Sequence, residues 1–404
     1  RAPLTQTFLD LGRQPLANSY LTRAQLDAGA EGFYPLHTRV CGSCFLVQAD
    51  DPVAADAIFD AGYAYFSAYS ESWVAHAKRY AQAMAERFGL GPQSLVVEIA
   101  SNDGYLLQHF KAMGVPVLGV EPTANTAEVA IRERGVPTEV AFFNDATGRA
   151  LKARGAAADL MAANNVLAHV PDIGDFVAGF QHVLKSQGVL TFEFPHLLNL
   201  IEQVQFDTIY HEHFSYLSLL AVEKVLRAKG LRPFDVERLA THGGSLRLFC
   251  AHEASDHQET QALRDLRAEE SAAGLDKPSG YEGFAARVEA VRDSFLAFLA
   301  QAKAQGKTVA AYGAAAKGAT FLNYAGVTAA DIVAAFDANP HKQGRFLPGA
   351  HVPIYAPAEI TQIRPDYVVI LPWNLKDEIM GQLAYIKDWG GQFVIASPDT
   401  RIVG

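Results

Sequence analysis

Cysteine is nearly absent, with three in 404 residues. That is too few for a disulfide framework and fits a reducing compartment. Long apolar runs are also missing, since none approaches the ~18 residues of a membrane span, and the amino terminus lacks a charged-then-apolar leader. Basic excess is missing as well: 34 Lys+Arg stand against 44 Asp+Glu, a formal charge of −10. A chain of that sign has no broad face to offset a phosphate backbone, so nucleic acid is excluded as the main partner. The expectation is a cytoplasmic monomer with no membrane or nucleic-acid partner, acting on a small molecule. The start at Arg1 rather than Met points to residues upstream. What is present is apolar sequence: half the residues are hydrophobic, enough for two to three cored domains.

The first 65 residues are irregular, with Leu11-Gly-Arg-Gln-Pro-Leu-Ala-Asn18, a short apolar stretch at Tyr34 to Val40, and Cys41-Gly-Ser-Cys44. Too little apolar sequence lies here for an independent core, which makes metal the expected staple, with Cys41 and Cys44 as ligands. Residues 66–240 alternate helix and strand. Trp73, His76, Ala77, Tyr80, Ala81, Met84 and Phe88 mark one helical face. Strands are expected at Leu95–Ala100, Val117–Glu121, Ala158–Ala163 and Gly188–Phe194, and helices at Tyr105–Met113 and Ala124–Arg134. Residues 241–304 form a strand and helical connector. Strands resume at Thr308–Gly313, Ile332–Asp337 and Tyr367–Leu371 in a second α/β unit, 305–404.

In a doubly wound sheet, ligands bind beyond the carboxyl ends of the strands. The first strand ends in Glu98-Ile-Ala-Ser-Asn-Asp-Gly104 and the second in Glu121. One glycine in the turn disfavours a dinucleotide pyrophosphate. An adenosine ligand without pyrophosphate, S-adenosylmethionine above all, is favoured, held by Glu98, Ala100, Asn102, Gly104, Tyr105, Glu121 and Asn164. The alternative is that Glu98 and Glu121 are ordinary carboxylates at strand ends.

Phe206-Asp-Thr-Ile-Tyr-His-Glu-His-Phe-Ser-Tyr216 concentrates ionisable side chains. In extended backbone, His211 and His213 would share one face and Tyr210 and Glu212 the other. An acid/base cluster, a metal-ligand pair and packed polar residues all remain open. His169 follows the third strand, either reaching ligand or closing the strand. In the second unit, Gly313-Ala-Ala-Ala-Lys317-Gly318 offers backbone N–H groups and one cation to a phosphate. Asn339, Lys342 and Arg345 form a polar loop that either serves the nucleotide or faces solvent.

The order of these motifs, with Asn165-Val-Leu-Ala-His-Val170 and His242-Gly-Gly-Ser245, resembles the sugar C-methyltransferases over nearly the whole chain. Those enzymes methylate C3 of nucleotide-linked 4-keto-6-deoxy sugars. The resemblance implies a class I Rossmann-like S-adenosylmethionine domain, a second Rossmann-like carboxyl-terminal domain that helps bind the nucleotide sugar, and a small zinc-binding amino-terminal domain. It further implies His213 as base, Tyr210 on the substrate carbonyl, and Tyr63 and Tyr65 over the sugar, joined by His211. Glu212 would orient a histidine. The family's zinc has four cysteine ligands, so the resemblance implies another Cys-x-x-Cys upstream of Arg1. Oxygen methylation, a non-sugar substrate and a non-catalytic nucleotide-sugar binder are the alternatives.

Overall fold

The computed structural model describes residues 4–50, 67–69 and 71–404. Tyr63 and Tyr65 lie outside the described residues. Among the described residues the strands form three sheets. The largest runs in the order Leu231–Leu239, Ser245–His252, Leu184–Pro195, Ala158–Asn164, Val96–Ile99, Val117–Val120, Thr138–Glu139. Its last five strands are mutually parallel, while Ser245–His252 runs antiparallel to both neighbours. This is the expected class I methyltransferase sheet. Its central strands are buried on both faces, as continuous apolar runs require.

The six-stranded sheet is ordered Ile354–Tyr355, Ala335–Phe336, Val309–Tyr312, Tyr367–Ile370, Gln392–Ile395, Arg401–Val403, with the last strand antiparallel. Chain order reverses between Val309–Tyr312 and Tyr367–Ile370. The crevice at their carboxyl ends is therefore bounded by the loops after Tyr312 and Ile370.

The amino-terminal sheet corrects an expectation. Its strands Leu4–Gln14, Tyr34–Cys41 and Val47–Ala49 are completed by Ser215–Tyr216, borrowed from the segment just after His213. Phe8, Leu9, Leu11, Leu36, Val40 and Val47 share one core with Phe206, Tyr281, Phe284, Val288 and Phe295. Phe8 stacks on Phe284 at 4.6 Å. Burial against the helix Phe284–Ala304 anchors this sheet, so that helix is core rather than a mere connector.

Candidate active site

At the carboxyl edge of the large sheet the chain leaves Val96–Ile99 through a loop in which Ala100, Asn102 and Gly104 take φ of 56°, 49° and 79°. A Cβ at Gly104 would stand 3.2 Å from Ala130 Cβ and 3.3 Å from Val136 Cγ2, so the loop packs tightly on the following helix and strand. Glu121 holds it in place: its two carboxylate oxygens accept the Asn102 and Thr123 backbone N–H groups, each at 2.9 Å. Glu98 is 1 % exposed, and among the described residues its Oε2 has no hydrogen-bond partner. The Asn164 Oδ1 atom and both side-chain polar atoms of Asn165 are orphaned likewise. Buried polar atoms without partners are rare in native proteins, and these groups are available to bind a ligand.

The electrostatics specify that ligand further. Burial, then the neighbouring Glu121 and Asp103 carboxylates, push the Glu98 carboxyl well above its ordinary range. Burial raises Glu121 and Asp103 too, the latter opposed by Arg134 at 3.4 Å. Three crowded carboxylates are relieved by a cation, and S-adenosylmethionine carries a sulfonium and an ammonium. The residues therefore fit that cofactor, with Glu98 and the orphaned asparagine groups available to hold it.

A pH dependence follows. Below its raised pKa, Glu98 is protonated in the ligand-free protein and attracts a cation poorly; above it, the carboxylate is restored. The affinity for S-adenosylmethionine is expected to increase with pH through that titration, while the stability of the ligand-free protein falls, because the folded state holds the extra proton. Calorimetric titrations from acid to mildly alkaline pH check this, and a flat or falling affinity contradicts it.

Beyond the sheet edge, the short 3-10 turn Phe206–Thr208 precedes a tight turn in which the His213 backbone N–H reaches Tyr210 O at 2.9 Å. Extended backbone was expected here, and the turn reverses the predicted pairing of faces. Tyr210 and His213 lie ring against ring, centroids 4.1 Å apart and tilted by 34°, and the His169 ring meets His213 edge-on at 4.6 Å. His213 Nδ1 lies 2.7 Å from Thr208 O. A carbonyl only accepts, so Nδ1 carries the proton and Nε2 the lone pair. Burial first, and then neighbouring His169, push His213 well below the ordinary histidine range. His169 falls to about 4, mainly by burial, although a hydrogen bond to the Glu212 backbone opposes the shift. Both imidazoles are neutral at pH 7.

His211 departs from its expected place beside the sugar. Its Nε2 reaches Pro35 O at 3.2 Å, and its ring stands edge-on to Tyr34 in the amino-terminal sheet. Glu212 meets a histidine, His169, through its backbone, while its carboxylate turns elsewhere. Its Oε1 accepts from Asn18 Nδ2 at 2.6 Å, and Thr208 O does the orienting of His213.

Facing this cluster is Lys317, at the start of the helix Ala316–Tyr324 in the second unit. Its Nζ donates to Asn374 Oδ1 at 3.0 Å and lies 4.5 Å over the Trp373 ring. Burial lowers its pKa, and Asp207 opposes that. Gly313, at φ 85°, lies so close to Pro372 that a Cβ would fall 2.4 Å from Pro372 Cδ. Asn339 Oδ1 caps its own turn by accepting the His341 N–H at 2.9 Å, and Arg345 Nη1 reaches Tyr20 O at 3.3 Å. Asn339 thus braces the 337–345 turn, and Arg345 ties that turn to the amino-terminal segment.

Several participants were not singled out from the sequence. Asp207, Thr208, Trp373 and Asn374 surround His213 and Lys317. Glu193, fully buried, gathers His76 at 3.1 Å, Arg247 at 2.9 Å and Thr241 at 3.3 Å, fixing the turn that carries His242. Asp207 was legible only as one more acid in a polar segment, and Trp373 gave no signal, being 166 residues from its partner.

Backbone N–H groups of Ser43, Cys44 and Phe45 aim at the Cys41 thiol and hold its pKa down despite burial. These two thiols supply half of a tetrahedral zinc site, and among the described residues no group of three or more His, Cys, Asp or Glu could hold a metal. The described residues therefore do not complete a zinc site. Cys250 is fully buried in the core of the large sheet.

Comparison with known proteins accords with this arrangement. Residues 240–398 match the family described as C-methyltransferase C-terminal domain, residues 73–235 a methyltransferase domain, and residues 1–59 the family described as "Putative zinc binding domain". C-methyltransferase NovU of Streptomyces niveus is 36 % identical over 395 residues, covering 98 % of this chain and 93 % of NovU. Among solved structures, an S-adenosylmethionine-dependent methyltransferase from Clostridium acetobutylicum is 12 % identical, covering 43 % of this chain and 90 % of that one, with a TM-score of 0.36. Magnesium protoporphyrin IX methyltransferase from Synechocystis is 15 % identical, covering 48 % and 91 %, with a TM-score of 0.36. Among the described residues no helix is long and apolar enough to cross a membrane. A largely parallel sheet with an anionic edge, beside a neutral imidazole, thus sits in a chain that belongs to the S-adenosylmethionine-dependent C-methyltransferases.

Proposed function

We propose that the protein methylates C3 of a nucleotide-linked 4-keto-6-deoxy sugar through an enolate. The observation that carries this reading is His213, a neutral imidazole whose Nδ1 proton is engaged by Thr208 O, leaving the lone pair on Nε2. Carbon is a poor nucleophile unless its C–H bond is acidified, and an adjacent ketone does that by taking the charge onto oxygen. The base must then lie near C3 and a donor near O4. His213 Nε2 takes the C3 proton, and the adjacent Tyr210 hydroxyl donates to O4. S-adenosylmethionine, when bound at the Glu98–Glu121 edge, supplies an electrophilic methyl group.

Lys317 and the amides at the start of its helix attract the diphosphate. The negative charge that arrives with it raises the basicity of His213, which burial and the neighbouring His169 keep low. His169 packs its ring against His213 and excludes water from that side. Incubation with S-adenosylmethionine and a panel of nucleotide-linked keto sugars tests the reading. A product heavier by one CH2, with the new carbon bonded to C3, is expected from a 4-keto-6-deoxy substrate. Turnover of none of the keto sugars, or methylation elsewhere, overturns it.

A further inference from the structure

Trp373 stands where three functional elements meet. Its indole Nε1–H donates to Asp207 Oδ2 at 2.7 Å, and its face carries Lys317 at 4.5 Å. Its far edge crowds Gly243, where a Cβ would fall 2.4 Å from Trp373 Cη2, directly beside His242. Asp207 is 2 % exposed, and among the described residues no side chain hydrogen-bonds its second oxygen, Oδ1. A buried carboxylate is costly, and a leucine of similar size would fill the same space without that cost. The backbone of its own turn and the nearby Lys317 charge help to hold the carboxylate, yet its hydrogen bond to another side chain runs to a residue in a different unit of the chain.

The place of Asp207 in the chain supplies the explanation. It is the middle residue of the turn Phe206–Thr208, whose last carbonyl takes the His213 Nδ1 proton. From the other side, Gln205 Nε2 donates to Gly243 O at 2.8 Å, and Thr208 Oγ1 to Gln205 O at 2.7 Å. The turn that selects the imidazole tautomer is thus clamped between the His242–Gly243 turn and the indole of the carboxyl-terminal unit.

We propose that the Trp373–Asp207 hydrogen bond is a positioning couple, by which the carboxyl-terminal unit fixes the 206–208 turn and so holds His213 with Nδ1 protonated and Nε2 free. Neither residue touches the reacting atoms; both act through His213, and the inference rests on His213 being the base. It also gives Trp373 a second task. The ring that supports Lys317 on its face orients the base through its N–H, so the anion-binding side and the proton-abstracting side share one rigid indole.

Trp373→Phe separates the two tasks, keeping a ring beneath Lys317 and deleting the donor. In the ligand-free protein, histidine 15N spectra should show His213 as the Nδ1–H tautomer in wild type and as a mixture in Trp373→Phe. With a nucleotide-linked keto sugar, kcat should fall by about tenfold or more while the KM for the sugar stays within about twofold. Asp207→Ala should reproduce both changes. Asp207→Asn, which keeps an acceptor for the indole, should restore the tautomer and most of kcat. An Nδ1–H tautomer unchanged in both Trp373→Phe and Asp207→Ala overturns the couple, as does a loss confined to KM. If Trp373→Phe fails to fold, shown by lost S-adenosylmethionine binding, the contrast between Asp207→Asn and Asp207→Ala decides. A wild type that turns over no keto sugar would sink the substrate assignment, whereas the tautomer comparison would still decide the couple.

Discussion

His213→Ala is expected to lower turnover by ~10²–10⁴-fold, the usual contribution of a positioned general base, while the affinity for S-adenosylmethionine stays within about twofold of wild type. The two effects separate because His213 bonds to Thr208 O and packs on Tyr210, whereas the buried polar groups available to the cofactor belong to Glu98, Asn164 and Asn165. Steady-state kinetics and calorimetry on one preparation check the split. Comparable losses in both would place His213 in the cofactor pocket and remove it as the base.

Glu121→Ala should act in the opposite sense, on binding before chemistry. Its carboxylate accepts two backbone N–H groups, from Asn102 and Thr123. Truncation leaves both donors without their acceptor inside a buried loop, at a cost of about 1–3 kcal/mol each. Part of that cost falls on the shape of the Ala100–Gly104 loop, whose left-handed residues need an anchor. At 1.4 kcal/mol per decade, a dissociation constant for S-adenosylmethionine raised by about 30-fold or more is expected. The residual turnover at saturating cofactor should change far less. Calorimetric titration reads the first quantity and kcat the second; unchanged affinity would mean that Glu121 neither shapes nor lines the pocket.

Much of the scaffold was legible because buried parallel strands leave a strong mark. Val96–Ile99, Val117–Val120, Ala158–Asn164, Val309–Tyr312 and Tyr367–Ile370 all fall on the continuous apolar runs that predict them. The helix Ala124–Arg134 is bounded as expected, since Gly135 takes the left-handed cap at φ 60°. The site was harder to read. The turn at 210–213 contains neither glycine nor proline, and its closure depends on packing against His169 and the amino-terminal sheet, so alternation suggested extended chain. The partners of His211 and Glu212 were hidden for the same reason, because Pro35 and Asn18 lie some 175 to 195 residues away. The packing of the first 65 residues against the rest of the chain was hidden from a count of local apolar residues. That count could not see the faces of Tyr281, Phe284 and Phe295 waiting to cover Phe8 and Leu36. Asp207 and Trp373 illustrate the general limit: composition reveals which groups are unusual, and only the fold reveals which of them touch.

The central claim, that this chain makes a carbon nucleophile by deprotonation next to a ketone, is tested most directly by isotope exchange. A nucleotide-linked 4-keto-6-deoxy sugar in D2O, with S-adenosylhomocysteine in place of the methyl donor, should acquire deuterium at C3 with wild-type protein and not with His213→Ala. Wild-type protein that leaves the C3 proton untouched, or a variant that exchanges it equally fast, would contradict the account.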